Sequence, residues 1–213
     1  VMRRSDNALI ASVYQRTLGD PVKAVRSCYS ELEQVLEKQI NPNKISITSI
    51  GICGSGRQIA AMHAMTEGGV NEILAHATAA VFFDPVVDTL FEIGGQDAKY
   101  THIHHGVPCD YAMNEACSAG TGSFLEESVL ETLGVEMDMI ASMALAADRA
   151  PNFNDQCAAF ISSDIKNAIQ EGLSHNEIVA GLVYSICMNY VNRVKGNRPV
   201  GKKVFMQGGV CYN

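Results

Sequence analysis

The chain has 213 residues, of which 47% are hydrophobic and 18% charged, and its formal net charge is -7. This length fits one domain or two small ones, and the composition supports a sizeable core and argues against disorder. The acidic balance argues against nucleic-acid binding, which needs a clustered basic face. There is no run of about 18 apolar residues and no apolar signal core, so we expect no membrane association and a cytoplasmic protein.

Seven cysteines occur at wide, irregular spacings without a C-x-x-C pair, which argues against zinc-ribbon and thioredoxin-like sites. They favour a reducing compartment with free thiols. Most cysteines in that setting are small buried apolar groups. Core packing is therefore the default expectation for each of them, namely Cys28, Cys53, Cys109, Cys117, Cys157, Cys187 and Cys211.

The first part of the chain is predicted to contain two strands and several helices. Residues 8–16 and the β-branched run 45–52 are typical of strands. Asp20, followed by a proline, is a good N-cap, and apolar residues at helical spacing predict a helix over residues 21–38. A shorter helix follows the glycine turn after the second strand, and another is predicted over residues 71–83.

The second part alternates strands with helices. We predict strands over residues 89–93, 98–104, 107–113 and 204–206. We predict helices over residues 123–133, from near residue 155 to residue 171, and over residues 175–195. Ser174 and Glu177 form a capping box at the start of the last helix. This alternation predicts the α/β class. We predict a boundary near residue 86, which would divide the chain into two subdomains, residues 1–86 and 87–213.

Glycine-rich turns follow strands or precede helices at four places, which are Gly54-Ser55-Gly56, Gly94-Gly95-Gln96-Asp97, Gly120-Thr121-Gly122 and Gly208-Gly209. Open α/β sheets bind ligands at such turns, and several in one chain favour a nucleotide site. None has the P-loop spacing or the dinucleotide spacing G-x-G-x-x-G, so neither of those folds is predicted.

Of the four turns, the one from Gly94 to Asp97 has the residues best suited to phosphate binding and catalysis. Backbone amides at a hairpin bend can hold phosphate oxygens. Asp97 can hold Mg²⁺ through water, because Mg²⁺ usually binds one or two carboxylates together with phosphates. Gln96 can orient an attacking water, as a glutamine does in other nucleotide hydrolases. The alternative is an ordinary Gly-Gly hairpin with a polar tip.

Cys117 stands directly before a loop of small residues that ends at Gly122 and opens onto a helix. Backbone N–H groups at a helix N-terminus favour an anion such as phosphate. A thiol beside such a loop suggests metal or redox chemistry coupled to a nucleotide. The alternative is a tight strand-to-helix turn with a buried thiol.

These motifs resemble the activator ATPases of 2-hydroxyacyl-CoA dehydratases and benzoyl-CoA reductases, the BadF/BadG/BcrA/BcrD ATPase family of the actin-like ATPase superfamily. The resemblance is carried most specifically by Gly-Gly-Gln-Asp-Ala-Lys and Cys-Ser-Ala-Gly-Thr-Gly, and it extends over residues 12–21, 54–57, 93–99, 113–126 and 208–210. It implies an α/β fold of the actin-like, ribonuclease H-like type with two subdomains.

The resemblance also implies the ligands. ATP or ADP with Mg²⁺ would be bound by the glycine turns, with Gln96 and Asp97 as catalytic residues; the implied nucleotide-binding residues are Gly94, Gly95, Gly120, Thr121, Gly122, Gly208 and Gly209. A [4Fe–4S] cluster needs four thiolates, and in the family two equivalent modules each supply two. Cys117 matches the first of these cysteines, and Cys157, about 40 residues later, matches the second.

The activity that the resemblance implies is ATP-driven transfer of a low-potential electron from the cluster to an acyl-CoA dehydratase or reductase. The second module would come from a homodimer or a tandem copy. Family members begin with an Asp-x-Gly-Ser-Thr-Thr phosphate loop, which is absent here. We therefore expect a segment truncated at both ends, with a partial first subdomain, that binds ATP weakly if at all on its own.

Two alternatives stay open. One is a non-catalytic module, retained for dimerisation or docking in a larger activator. The other is a sugar or acyl kinase of the same superfamily, which would not require Cys117 and Cys157.

Overall fold

The computed structural model describes residues 1–41, 44–114, 120–153 and 158–212. Its contacts divide the chain into two compact units, Val1–Ala75 and His76–Asn213. The subdomain boundary predicted after residue 86 lies within the second unit and stays a prediction.

Two helices of the first unit follow from local sequence chemistry and confirm the predictions. Helix α1 covers Pro21–Gln39, and the side chain of Asp20 accepts a hydrogen bond from the backbone N–H of Lys23 at 2.9 Å. Helix α2 covers Arg57–His63 and begins directly after Gly56. Both helices thus start where a capping residue or a glycine turn indicates.

The two strands predicted in the first unit are wrong. Within the described part of this unit, residues 8–16 and 45–52 form single bridges, Met2 with Leu9 and Ile52 with Gly69, and no continuous ladder. A β-branched run becomes a strand only where a neighbouring strand supplies hydrogen-bond partners along its length. The described residues of this unit provide no such neighbour.

Helix α3 covers Glu72–Phe83, close to the predicted bounds. It leads into a four-stranded sheet in the second unit, whose strands all confirm the predictions. The strands are β1 (Thr89–Ile93), β2 (Ala98–His104), β3 (Val107–Met113) and β4 (Val204–Gln207), in the order β3-β2-β1-β4. Strands β1, β2 and β3 are antiparallel neighbours, whereas β4 runs parallel to β1. The sheet is therefore mixed.

Four helices of the second unit follow the hairpins, and they are α4 (Gly122–Leu133), α5 (Ile140–Leu145), α6 (Ala158–Gln170) and α7 (His175–Asn189). Helix α4 ends at Gly134 in the left-handed conformation, and the Ser174–Glu177 capping box starts α7, both as predicted. The short α5 was not predicted, because its 6 residues make fewer than two helical turns and leave little periodicity to detect. A π-helical turn, Tyr190–Lys195, continues α7 up to Gly196.

Two of the three clusters of buried apolar residues described in the second unit position the site. One joins α4, α5, α6 and α7 and includes Phe124, Ile140, Ile165 and Leu182, all buried. The other packs the π-helical turn against β1 and β2, through Ile93, Ala98, Tyr100, Tyr190 and Val194. Among the helices in the described ranges, none combines the length and apolar character needed to cross a membrane.

Candidate functional site

The turn between β1 and β2 places backbone donors at an exposed bend. The N–H of Gly94 donates to the carbonyl of Asp97 at 2.9 Å, which closes the turn. Gly95 and Gln96 are exposed, and the N–H groups of Gly95, Gln96 and Asp97 donate to no backbone carbonyl of the residues that the structure describes. Successive backbone N–H groups at a bend can form a concave site for an anion.

Helix α4 begins against this bend. The N–H groups of Gly122 and Ser123 donate to the carbonyls of Gly94 and Gly95, at 2.9 and 2.7 Å. A Cβ on Gly122 would lie 3.3 Å from the Cα of Gly95, so a glycine permits this close approach. These two N–H groups therefore already have acceptors within the protein. The phosphate contacts predicted for Gly120, Thr121 and Gly122 stay a prediction, and they would have to use atoms other than these two N–H groups.

Gln96 is fixed by the first turn of α4. Its side-chain Nε2 donates to Oγ of Ser123 at 2.7 Å, and this hydroxyl donates to the carbonyl of Gly95 at 2.5 Å. The Oε1 of Gln96 takes no part in that bond and can accept a hydrogen bond from water. Sequence reasoning missed Ser123, although it directly follows Gly122 in the glycine motif.

Three charged side chains meet beneath the bend, and we call Glu92, Asp97 and Lys99 the charged trio. The Nζ of Lys99 lies 3.0 Å from Oε2 of Glu92 and 2.6 Å from Oδ1 of Asp97. The side chain of Asp97 is 36% exposed, against 7% for Glu92 and 4% for Lys99. The trio thus runs from the sheet interior to the surface of the bend.

The ammonium of the charged trio keeps its proton at neutral pH. Burial lowers the pKa of Lys99, and its hydrogen bonds to Asp97 and Glu92 more than offset this, so the pKa lies above its ordinary value. Sequence reasoning did not single out Lys99. Its position in the Gly-Gly-Gln-Asp-Ala-Lys motif, and the pairing of Glu92 with Lys99 across the hairpin, are signals that could have found it.

The backbone of β2 is held on both sides of the charged trio. The hydroxyl of Tyr190 donates to the carbonyl of Lys99 at 2.8 Å, and burial raises the pKa of that hydroxyl, which keeps it a donor. On the other side, the N–H of Ala98 donates to Oδ1 of Asn114 at 2.7 Å. Asn114 is the last described residue before the segment that contains Cys117.

The turn after β4 lies against the end of β1. Gly208 has φ +103°, and a Cβ there would lie 2.2 Å from the carbonyl oxygen of Ile93. Only glycine combines this conformation with such close approach. A cavity of about 400 Å³ begins at Gly208, and its lining is largely apolar and aromatic: Ala79, Phe83, Phe205, Met206, Gln207, Gly208, Cys211 and Tyr212. The side chain of Gln207, one of the lining residues, also contacts the ring of His76.

The structure thus brings together the predicted residues Gly94, Gly95, Gln96 and Asp97 with the loop before α4, and it places Gly208 beside the strand that leads to them. The turn at Gly54-Ser55-Gly56 belongs to the first unit. The predicted cluster ligands Cys117 and Cys157 lie outside the described residues. Within the described part of the chain, no group of three or more His, Cys, Asp or Glu side chains is arranged to hold a metal ion.

The expectation that the remaining cysteines fill the core is wrong. Cys53, Cys109, Cys187 and Cys211 are exposed, and Cys28 is half-buried. The exposed residues occupy a turn, an edge strand, the outer side of α7 and the turn after β4, where the chain offers little apolar cover.

Comparisons with known proteins show which family this chain resembles. The model of the BadF/BadG/BcrA/BcrD ATPase family matches residues 8–213. The chain is 30% identical over 163 residues to the (R)-2-hydroxyglutaryl-CoA dehydratase activating ATPase of Acidaminococcus fermentans. That match covers 75% of this chain and 60% of the relative, so the chain spans less than two thirds of the length of that protein.

Two solved structures share the fold. The crystal structure of the Acidaminococcus fermentans (R)-2-hydroxyglutaryl-CoA dehydratase component A has a TM-score of 0.76 at 25% identity, covering 87% of this chain and 68% of that one. The activator of the 2-hydroxyisocaproyl-CoA dehydratase from Clostridium difficile, with bound ADPNP, has a TM-score of 0.77 at 25% identity, covering 96% and 71%. The predicted α/β fold of the actin-like ATPase type is confirmed.

Proposed function

The chain belongs to the BadF/BadG/BcrA/BcrD ATPase family, and from that premise we propose that it is the ATP-hydrolysing module of an activator that drives low-potential electron transfer to an acyl-CoA dehydratase or reductase. The observation that carries this proposal is the bend between β1 and β2. It combines three backbone N–H groups, a partly exposed carboxylate and a fixed glutamine within four residues.

The bend suits the phosphates of the nucleotide. The N–H groups of Gly95, Gln96 and Asp97 can donate to phosphate oxygens. The turn at Gly208 and the apolar, aromatic cavity that begins there suit the nucleoside, because such cavities take up flat ring systems with few polar contacts. A related activator was solved with bound ADPNP, which supports a nucleotide as the ligand of this module.

Asp97 fits the role of a Mg²⁺ ligand. Its carboxylate is partly exposed at the bend, and the hydrogen bond to Lys99 engages Oδ1 and leaves Oδ2 for a cation or its water. A bound Mg²⁺ would supply charge neutralisation at the phosphates. Gln96, held through Nε2 by Ser123, can use Oε1 to orient the attacking water.

Cys117 and Cys157 are proposed as this module's two ligands to a [4Fe–4S] cluster, whose other two thiolates come from a second equivalent module. Thiolates are the ligands that such clusters take, and the cluster would supply a one-electron centre of low potential. The support from the described residues is indirect: Cys157 directly precedes α6, and the segment that contains Cys117 leads to Gly120, which has φ +88°.

The bonds between α4 and the hairpin give a physical route for coupling the two activities. In sequence, the segment with Cys117 leads to the start of α4. There the N–H groups of Gly122 and Ser123 donate to the carbonyls of the hairpin. A nucleotide can shift the module between two conformations only if it binds them with different affinities. Binding of ATP or ADP at the hairpin would therefore affect the position of the start of α4, through these hydrogen bonds.

Hydrolysis tests the nucleotide half of the proposal. In the full-length natural protein, Asp97→Ala is expected to abolish Mg²⁺-dependent ATP hydrolysis. The control Asp138→Ala, at an exposed aspartate, is expected to hydrolyse ATP at the wild-type rate. Wild-type turnover in Asp97→Ala would refute the metal role. A wild-type protein without hydrolysis would instead favour a non-catalytic module.

Spectroscopy tests the electron-transfer half. Anaerobic reconstitution with iron and sulfide should yield a [4Fe–4S] EPR signal on reduction. This signal is expected to disappear in Cys117→Ser and Cys157→Ser and to persist in Cys109→Ser and Cys187→Ser, whose thiols are exposed. An unchanged signal in the first pair would overturn the cluster assignment, and ATP hydrolysis without any cluster would favour a kinase-like branch of the superfamily.

A further inference from the structure

We propose that Lys99 is a positioning residue for nucleotide hydrolysis, which holds the carboxylate of Asp97 at the bend while Glu92 supplies its counter-charge. The inference rests on the proposed function and deepens it, since it names the residues that place the proposed Mg²⁺ ligand. The charged trio is its basis.

The strand geometry brings the trio together. Glu92 and Lys99 are direct partners across the β1–β2 pair, so their side chains share one face of the hairpin. Asp97 precedes Lys99 by two residues, which places its side chain on that face as well. The resulting distances from Nζ of Lys99 are 3.0 Å to Glu92 and 2.6 Å to Asp97.

The two carboxylates have different surroundings, which separates their roles. Glu92 is buried and pairs with the buried ammonium, as a charge inside a protein requires. Asp97 is partly exposed and is held by the same ammonium through one oxygen. Since two negative charges face one positive charge, the trio keeps a net charge of -1, and the partly exposed member can still attract a cation.

Lys99 can act as a fixed anchor because its own backbone is fixed. Its carbonyl accepts the hydrogen bond from the buried hydroxyl of Tyr190, and the neighbouring Ala98 is bonded to Asn114. The anchor therefore lies on a supported strand, whereas Asp97 lies in an exposed turn. A ligand held from a rigid element is placed more accurately than one on a free loop.

The decisive variant is the double substitution Lys99→Met with Glu92→Gln in the full-length natural protein. Lys99→Met alone would leave a buried glutamate unpaired, and the second change removes that charge, so the double variant is expected to fold. We expect its kcat to fall about 10- to 100-fold, with less than about a threefold change in the KM for ATP, because Asp97 is no longer held in place. Lys166→Met, on the exposed side of α6, is the matched control and should keep wild-type kinetics.

The single variant Glu92→Gln gives an independent readout. It keeps the bond between Lys99 and Asp97 but makes the trio neutral, so the Mg²⁺ concentration for half-maximal hydrolysis is expected to rise several-fold. A purely structural role would change thermal stability without moving this Mg²⁺ dependence.

The outcomes separate this inference from the proposed function. Wild-type kcat in a folded double variant would overturn the role of Lys99. An unchanged Mg²⁺ dependence in Glu92→Gln would overturn the role of Glu92 and of the trio's net charge. Both results would leave the ATPase proposal intact. A wild-type protein that does not hydrolyse ATP would overturn both.

Discussion

The side-chain amide of Gln96 donates a hydrogen bond of 2.7 Å to the hydroxyl of Ser123, across 27 residues of sequence. The same hydroxyl donates to the carbonyl of Gly95, so one serine connects the tip of the hairpin to the first turn of α4. The glutamine proposed to orient the attacking water is therefore held by a residue of the helix that follows the cysteine loop.

Ser123→Ala should impair hydrolysis more than it impairs folding. The variant removes the acceptor that holds Gln96, so we expect kcat to fall about 10-fold or more. Stability should fall by only about 1 kcal/mol, the usual net contribution of one hydrogen bond. Ser142→Ala is a matched control. The hydroxyl of Ser142, on α5, also donates to a backbone carbonyl, that of Met139, but it does not contact Gln96. Equal turnover in the two variants would contradict the positioning of Gln96 by Ser123.

Tyr190→Phe and Tyr100→Phe form a second matched pair. Both hydroxyls donate to carbonyls, of Lys99 at 2.8 Å and of Pro199 at 2.5 Å. Each variant should lose about 1–3 kcal/mol of unfolding free energy in urea titrations, since a partly or fully buried carbonyl loses its partner. Only Tyr190→Phe should also lower ATP turnover, because only it loosens the strand behind the charged trio. A similar turnover in both variants would show that Tyr190 serves stability alone.

Gly208→Ala should be far more damaging than Gly134→Ala. Both glycines have positive φ, of +103° and +66°, but a Cβ at Gly208 would lie 2.2 Å from the carbonyl oxygen of Ile93 whereas Gly134 faces open space. We expect a loss of about 1–2 kcal/mol at Gly134 from the left-handed conformation, and about 3 kcal/mol or more at Gly208. Denaturant unfolding of the two variants measures the difference, and equal losses would rule out close packing at Gly208.

The start of α7 should become sensitive to acid through Glu177. The hydrogen bonds from Ser174 and Arg149 hold the pKa of Glu177 below its ordinary value of 4.5. A carboxylate whose folded pKa is lowered stabilises the fold above its unfolded pKa, and this contribution is lost as the pH falls through the folded pKa. The protection factors of the amides in the first turn of α7, which correct for the pH dependence of intrinsic exchange, should therefore fall below about pH 4.5 in the wild type. Glu177→Gln should exchange faster at neutral pH and show a weaker acid dependence; parallel pH profiles would contradict the assignment.

Local chemistry made much of the fold predictable. Asp20, the Ser174–Glu177 box and Gly134 each mark a helix end through contacts within a few residues, and the structure has helices at those places. The run at residues 45–52 has equally good strand composition, but pairing with another strand decides whether it forms a ladder, and composition contains no information about the neighbour.

The candidate site, like the fold, was predictable from the sequence only in part. The bend from Gly94 to Asp97 is a contiguous motif, so its chemistry could be inferred directly from the sequence. The contacts that support it join residues far apart, such as Tyr190 with Lys99 and Ser123 with Gln96, and they depend on how α4 and α7 pack on the sheet. The exposure of Cys109 and Cys187 likewise depends on which strand is an edge and which helix face is covered.

The net negative charge of Glu92, Asp97 and Lys99 sets an order for the arrival of ligands under the proposed function. Uncomplexed ATP is itself an anion, so it meets repulsion from the carboxylate at the bend, whereas the same charge attracts a cation already bound to the phosphates. The site is thus built for the metal–nucleotide complex as a single ligand. Excess nucleotide over Mg²⁺ would act as a poor competitor, and the occupied fraction of sites would follow the cellular supply of the complex.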